Sequence, residues 1–376
     1  MMNKLRLLIL SYTNPLSDPR VLRQINFLQD DFRITVAGIP PAPEQVEFIP
    51  VRKVSNSPLR KLWWAGMLLV RNSQPFLKRY RLENENAVNQ RFDLILVNDA
   101  DPLPLAFELA DGAPVFFDAH EYYPREFDNS FVWNVLFGAH YTRLCHQFIP
   151  RCAGMSTVCK GIANEYERVF GINPLIVRNV PPDTGLAPQP VGDNIKLIHH
   201  GVASPSRCLE QMIKMMDYTD DRFTLDLMLT GTGSYWRKIR DMAAAHPRIN
   251  FIPPVPMSEI CKFINRYDLG VYMLPPAGFN NTHALPNKLF EFMQARLGIV
   301  IGPSPEMAAI VKEYDMGVVA ADFAPETLAM ELNNLTKEQI MQMKNNAHKA
   351  ADKVNAAVEM DGLRNALTAI MEGREA

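Results

Sequence analysis

Apolar positions fall into two alternating periods along this chain. Leu5-Arg-Leu-Leu-Ile-Leu-Ser11 is a short run that reads as a buried strand, and Val21, Leu22, Ile25 and Leu28 then repeat at helical spacing. The same alternation continues. Arg33–Gly38, Phe92–Val97, Pro114–Glu121, Ala153–Val158 and Pro174–Asn179 read as strands. Leu103–Ala110, Phe131–Phe148 and Lys160–Phe170 carry the helical period. Val180–Pro190 has four prolines and no period, which predicts a linker. The pattern then restarts, with strands at Ile195–Gly201, Phe223–Leu229, Ile249–Ile252, Asp268–Leu274, Gly298–Gly302 and Gly317–Ala320. Strand–helix alternation of this kind predicts an α/β fold of two Rossmann-like, doubly wound domains. Their bounds are 1–180, a linker at 181–192, and 193–351, followed by a terminal helix in 352–376.

At 376 residues the chain is long enough for two domains with cores of their own. Its 39 basic and 41 acidic residues leave a net charge of −2, so no overall pull toward nucleic acid exists. The five cysteines, at 145, 152, 159, 208 and 261, lack metal-ligand spacing and read as reduced thiols of a cytosolic protein. The amino-terminal residues 1–10 are too short and too charged for a signal peptide, and the longest uncharged apolar run, Leu62–Val70, is far short of a membrane span.

The most informative stretch is Pro275-Pro-Ala-Gly-Phe-Asn-Asn-Thr-His-Ala-Leu-Pro-Asn-Lys-Leu-Phe-Glu291. Pro275 and Pro276 stop the preceding strand, and Pro286 suits the first turn of a helix that Gly298 would end. A helix start facing the carboxyl end of a strand is an anion site, because its first N–H groups are free and its dipole favours negative charge. Asn287 and Lys288 would supply those amides. Glu291 lies one turn on, beside Asn287, where a carboxylate suits the two hydroxyls of a ribose. An ordinary helix with an exposed Glu fits the same string.

The order of these residues resembles the donor segment of GT-B glycosyltransferases, especially the family 4 group, in which Pro-Asn-Lys-Leu-Phe-Glu is a recurrent form. The resemblance implies two facing Rossmann-like domains, with the terminal helix crossing back to the first. The first domain would bind the acceptor and the second a nucleoside-diphosphate sugar. In the family, the carboxylate matching Glu291 holds the ribose and the amides matching Asn287 and Lys288 hold the diphosphate. His283 stands where many members carry a second Glu that touches the transferred sugar. Gly201-Val-Ala-Ser-Pro-Ser-Arg207 matches the loop that brings a cation to the diphosphate, and Arg207 is that cation. Thr230-Gly-Thr-Gly233 matches the turn that lets the nucleotide approach, through Gly231 and Thr232, and the loop around Val255 would pass near the base. His120, at the tip of a strand beside Asp118 and Glu121, matches a family His that can hydrogen-bond the reacting sugar or acceptor. Asn14, Asp18 and Arg20 match the loop lining the acceptor side, with Asp18 capping the following helix and Arg20 reaching an acceptor phosphate. His120, Arg207 and Glu291 are therefore the expected catalytic residues. No metal or cofactor is expected, and retention of anomeric configuration is.

Arg52–Leu82 holds eight basic residues and no acid, interleaved with Trp63, Trp64 and other apolar side chains. Arg60, Lys61, Trp63, Trp64, Lys78 and Arg79 describe an element lying on anionic lipid. Stacking on single-stranded nucleic acid and a solvated face over a core fit the same pattern. The resemblance favours lipid. It implies a peripheral enzyme on the inner face of the plasma membrane that extends a lipid-linked saccharide for capsule, exopolysaccharide or O-antigen, with no nucleic-acid partner. Three alternatives stay open. Asp99 and Asp101 follow a strand in the manner of a metal-dependent GT-A transferase, although capping of the next helix suits them better. A nucleotide-sugar 2-epimerase shares the two-domain fold, and His283 leaves room for a non-catalytic subunit of a transferase complex.

Overall fold

The computed structural model describes residues 4–54, 57–72, 74–83 and 90–373. Its chain divides into two units. One comprises Met1–Arg178, Gly278–Asn280 and Glu359–Ala376, and the other Asn179–Ala277 and Asn281–Val358.

The first unit is built on β1 (Leu5–Leu10), β2 (Phe32–Gly38), β3 (Glu47–Lys53), β4 (Tyr80–Leu82), β5 (Leu94–Asn98), β6 (Val115–Ala119), β7 (Gly154–Thr157) and β8 (Leu175–Ile176). They form a sheet in the order β4-β3-β2-β1-β5-β6-β7-β8, parallel except for the β3–β4 pair. Buried on both faces, these strands read as continuous apolar runs, with Leu7 to Leu10 and Leu94 to Val97 fully enclosed. Helix Pro19–Leu28 covers one face through Val21, Ile25 and Leu28. Met360, Leu363 and Leu367 of the final helix, Ala356–Met371, join the same core. The helix expected over Phe131–Phe148 is present but broken in geometry. Its middle, Asn134–Gly138, is wound as a π-helix.

The second unit carries β9 (Ile195–Val202), β10 (Phe223–Thr230), β11 (Ile249–Ile252), β12 (Leu269–Tyr272), β13 (Gly298–Ile301) and β14 (Gly317–Val319). Its sheet runs β11-β10-β9-β12-β13-β14, all parallel. That is the doubly wound order, with the direction of winding reversing between β9 and β12. In the first unit the reversal lies between β1 and β5. In open α/β sheets, ligands bind outside the carboxyl ends of the strands at such a reversal. The loops that matter are therefore those leaving β1, β5, β9 and β12. The expected fold class, two Rossmann-like α/β domains, is the one observed.

Two local expectations differ. Helix Asn287–Gln294 ends before Gly298, at Arg296, whose φ of 62° turns the chain. Gly298 instead opens β13, where a methyl group would lie 2.6 Å from Leu269 Cδ2. The proline-rich segment after residue 180 is pinned rather than loose. Buried Arg296 donates to the Leu186 carbonyl at 2.9 Å and pairs with Asp183 at 3.0 Å, and Asn265 donates to the Ala187 carbonyl at 3.0 Å.

Candidate functional site

The second unit brings two cations and a carboxylate together at the β9–β12 reversal. Gly201 is the second-last residue of β9, and its φ of 126° lets the chain begin to turn out of the sheet. A methyl group there would lie 2.8 Å from Lys288 Nζ and 3.0 Å from Arg207 Nη1, so both cations close on the same backbone carbon. Arg207 arrives from the loop after β9. Lys288 arrives from helix Asn287–Gln294, which presses Leu289, Phe290, Phe292 and Met293 into the core and carries Lys288 down with them. No side chain caps this helix, because Pro286 holds the N-cap position; the Leu289 N–H donates to the Pro286 carbonyl at 3.1 Å, which leaves the amides of Asn287 and Lys288 as the ones to meet an anion. Lys288 Nζ also sits 4.9 Å above the Tyr272 ring.

Burial sets the charges. It pushes the Lys288 ammonium down to about 7, helped by Arg207 and opposed by Glu291. It pushes the Glu291 carboxyl up to about 7 against the pull of Lys288. His200 Nε2 lies 3.4 Å from Glu291 Oε2, but burial drives that imidazole down to about 3. The contact therefore joins a neutral ring to the carboxyl, and His200 Nε2 has no hydrogen-bond partner. His199 points the other way, donating from Nδ1 to the Val271 carbonyl at 2.9 Å and stacking on Tyr272. The pair is split across the sheet, as neighbours on a strand must be.

The other donor-side residues are placed as follows. Gly231 has a φ of 138°, and a methyl there would lie 3.6 Å from Ala203 Cβ, so the turn after β10 packs on the Gly201–Arg207 loop. Thr232 is exposed on that turn. His283 Nδ1 is 2.9 Å from Glu306 Oε1, at the start of helix Pro305–Glu313. Val255 lines a cavity of about 730 Å³ with Phe263 and Arg266 among its other residues. Glu306, His200 and Tyr272 were not singled out from sequence. They come from other elements, and no local spacing marks them.

The first unit has its own cavity, of about 310 Å³, at the carboxyl ends of β5 and β6. Asp99, Asp101, Glu121 and Glu126 line it, with Arg20, His120, Tyr123 and Tyr141. Gln24 and Ser156 donate to Asp118 at 2.8 and 2.7 Å, and His120 Nε2 lies 3.0 Å from it. Burial works against the Asp118 charge, but His120 and Ser156 outweigh it and hold the carboxyl below its usual range. Arg20 donates to Asp18 at 3.0 and 2.9 Å and to Asp99 at 3.1 and 3.3 Å. Asp99 also accepts from the Tyr123 hydroxyl at 2.6 Å, and Asp101 is bound by Arg79 and by the Tyr141 hydroxyl.

These bonds correct several expectations. Arg20 is committed to two carboxylates rather than held ready for a phosphate. Asp18 does cap helix Pro19–Leu28, accepting from the Arg20 N–H, but it and Asn14 do not line the cavity. Asn14 is used by the fold, donating to the Pro40 carbonyl of the segment after β2 and accepting from the Leu16 N–H of its own loop. Asp99 and Asp101 are paired to arginines and tyrosines, and among the described residues no group of His, Cys, Asp and Glu is arranged to hold a metal ion. Neither aspartate caps the helix that follows, Leu103–Leu109.

The basic, Trp-rich stretch also divides. Arg60, Lys61, Trp63 and Lys78 are exposed, and Leu59 and Leu62 beside them are 80% and 70% exposed. Trp64 is buried against Leu68, Phe76 and Phe137. Arg79 is buried over the Phe76 ring at 3.7 Å and tied to Asp101. Helix Pro58–Leu69 presents one face outward, and Trp64 and Arg79 belong to the inner side. Among the described residues no helix is long and apolar enough to cross a membrane.

No protein-family model matches the chain, and no curated protein matches it in sequence. Solved structures do match in fold. Anabaena HepE, crystallised with UDP and glucose and also with UDP-glucose, superposes with a TM-score of 0.68 at 14% identity over 97% of this chain and 100% of its own. Sucrose-phosphate synthase from Thermosynechococcus elongatus gives 0.73 at 11% identity, over 98% and 100%. An α,α-trehalose-phosphate synthase from Burkholderia vietnamiensis gives 0.67 at 13% identity, over 99% of each chain. This chain has the fold of those glycosyltransferases along nearly its whole length.

Proposed function

We propose that the protein is a glycosyltransferase that draws a sugar from a nucleoside-diphosphate donor held on the second unit. The observation that carries this reading is the convergence of Lys288 and Arg207 on Gly201, beside an uncapped helix start and Glu291. Two cations and free amides suit a diphosphate, and a carboxylate one helical turn away suits a ribose diol. The likeness to HepE bound to UDP-glucose supports the same reading.

Catalysis on this reading is electrostatic. Arg207, Lys288 and the helix amides stabilise the charge that builds on the departing diphosphate. Glu291 orients the nucleotide, and His283, steadied by Glu306, faces the sugar. His120 of the first unit hydrogen-bonds the reacting sugar or the acceptor, with Asp118 fixing its tautomer. The leaving group is neutralised by side chains, so no metal is needed, and the family 4 resemblance implies retention. We further infer a lipid-linked saccharide acceptor in cell-surface polysaccharide synthesis. The enzyme would rest on the inner face of the plasma membrane through Leu59, Leu62 and Trp63 flanked by Arg60, Lys61 and Lys78. Exposed apolar side chains among cations support that placement.

Thermal shift with UDP, GDP, ADP and CMP tests the donor site, since a ligand specific for the folded state raises its stability. One of the diphosphates should raise the melting temperature, and Arg207→Ala and Glu291→Ala should abolish the rise and the turnover of the matching sugar nucleotide. Full turnover in both variants would sink the proposal.

A further inference from the structure

The cavity of the first unit is an acceptor-rich chamber in the hydrogen-bonding sense. Its lining has four carboxyls, Asp99, Asp101, Glu121 and Glu126, and one arginine. Counting the four carboxyls and the arginine, these groups carry a formal charge of −3 when all four carboxyls are ionised and −1 when both glutamates hold protons. It stays negative in either state. Arg20 cannot redress this, because its guanidinium already makes four hydrogen bonds to Asp18 and Asp99. The Asp101 charge is met by Arg79 and Tyr141. Glu121 and Glu126 are different. Among the described residues no hydrogen bond reaches either carboxyl group.

We propose that this cavity receives the saccharide end of the acceptor as a neutral or amino-bearing sugar ring, and that it excludes a ring carrying phosphate or carboxylate. The proposal rests on the transferase reading and gives that site an acceptor class. Sugar hydroxyls and ammonium groups donate hydrogen bonds, which is what two unpartnered carboxyls in a half-buried wall require. A phosphate dianion only accepts, and where both glutamates are ionised it would meet four other acceptors and an arginine already engaged. The size agrees. At about 310 Å³ the cavity stands at the lower end of the roughly 300–1,000 Å³ usual for small-molecule sites, enough for one ring. A lipid-linked acceptor would thus enter by its terminal sugar, with its phosphates outside.

Burial, aided by Asp99, lifts Glu121 to about 7, and burial, aided by Glu121 and Asp101, lifts Glu126 to about 8. Exclusion of anions should therefore strengthen as pH rises through this range.

The test is saturation-transfer NMR on the full chain without nucleotide, using glucose, glucosamine, glucose 6-phosphate and glucuronate. At about pH 8 the first two should bind at least tenfold more tightly than the last two, and the gap should narrow at about pH 6. Glu121→Gln and Glu126→Gln, each checked for an unchanged melting temperature, should reduce the preference for glucosamine several-fold and bring glucose 6-phosphate closer to glucose. Equal or tighter binding of either anionic sugar, no binding by any of the four, or an unchanged ranking in both variants would overturn the proposal. Because no nucleotide is present, this outcome is separate from the donor test. Absence of a shift with every nucleoside diphosphate refutes the transferase, and an inverted sugar ranking refutes only the acceptor class.

Discussion

At the scale of single residues, the donor site turns on where one proton resides. Lys288 and Glu291 are buried close together, and burial moves their pKa values toward each other, both to about 7. A diphosphate needs the Lys288 ammonium. The folded pKa of Lys288 is depressed, so its charge is present below about 7 and is lost above it. UDP affinity should fall as pH rises from about 7 to 9, by at most tenfold per pH unit. Glu291 ionises over the same range and becomes a better acceptor for ribose hydroxyls, which offsets part of the fall. Glu291→Gln removes that offset and also the attraction that supports the Lys288 charge, so the decline should begin at lower pH and be steeper. Lys288→Met should weaken UDP by about 10- to 100-fold, the worth of one charge-assisted contact, and should flatten the profile. Calorimetric titration across pH measures all three proteins. A flat profile in the native protein would show that Lys288 does not meet the phosphates. The aspartates of the first unit give the opposite expectation. Asp99 and Asp101 are held by Arg20 and Arg79, so Asp101→Asn and added chelator should both leave UDP affinity unchanged.

At the scale of elements, positions that look equivalent in sequence separate. Trp63 and Trp64 are adjacent on helix Pro58–Leu69, yet Trp63 is 52% exposed and Trp64 7%. Trp64→Ser should cost about 3–5 kcal/mol of stability, the usual penalty for emptying a large aromatic site. Trp63→Ser should cost almost none and should instead reduce sedimentation with anionic phospholipid vesicles. Loss of vesicle binding by neither variant would remove the membrane assignment. Two glycines of the second unit at positive φ separate in the same way. Gly201→Ala meets both a φ of 126° and the crowding of Lys288 and Arg207, and should cost about 1–3 kcal/mol and most of the UDP affinity. Gly185→Ala, at a φ of 62° with open space around it, should leave UDP affinity intact. The strand–helix alternation, Asp18 as a cap and the helix after Pro286 were legible because each is written within a few residues. The side of the chain that Trp64 and Arg79 occupy was not. It depends on Phe76, from a separate short helix of the same stretch, and on Phe137 and Asp101, which approach from elsewhere in the sequence. The hold of Arg20 on Asp99 spans 79 residues and left no periodic trace, and the end of the donor helix was misplaced because Arg296, not a glycine, takes the left-handed turn.

For the whole molecule, the decisive question is which unit receives the nucleotide. The two units have separate cores, one gathered on β1, β2 and β5 with the final helix, the other on β9, β10 and β12. Each has a reversal in its sheet order, so fold alone offers two places for a ligand. Charge separates them. At the β9–β12 reversal two cations stand beside a helix start, and at the β1–β5 reversal four carboxyls surround one arginine that is already paired. A diphosphate should choose the first of these by a wide margin, because the second repels it and has no cation left to bind it. Hydrogen exchange with and without UDP makes the choice visible. Amides of 201–207 and 287–291 should gain protection, because they either bond the phosphates or sit in loops that the nucleotide fixes. Amides of 99–101 and 120–126 should exchange as before, and adding a neutral sugar should slow those instead. Arg207→Ala should erase the first pattern and leave the second. If UDP protected 99–101 in the native protein, the negative chamber would be the nucleotide site, and the division of labour between the two units drawn from their charges would be wrong.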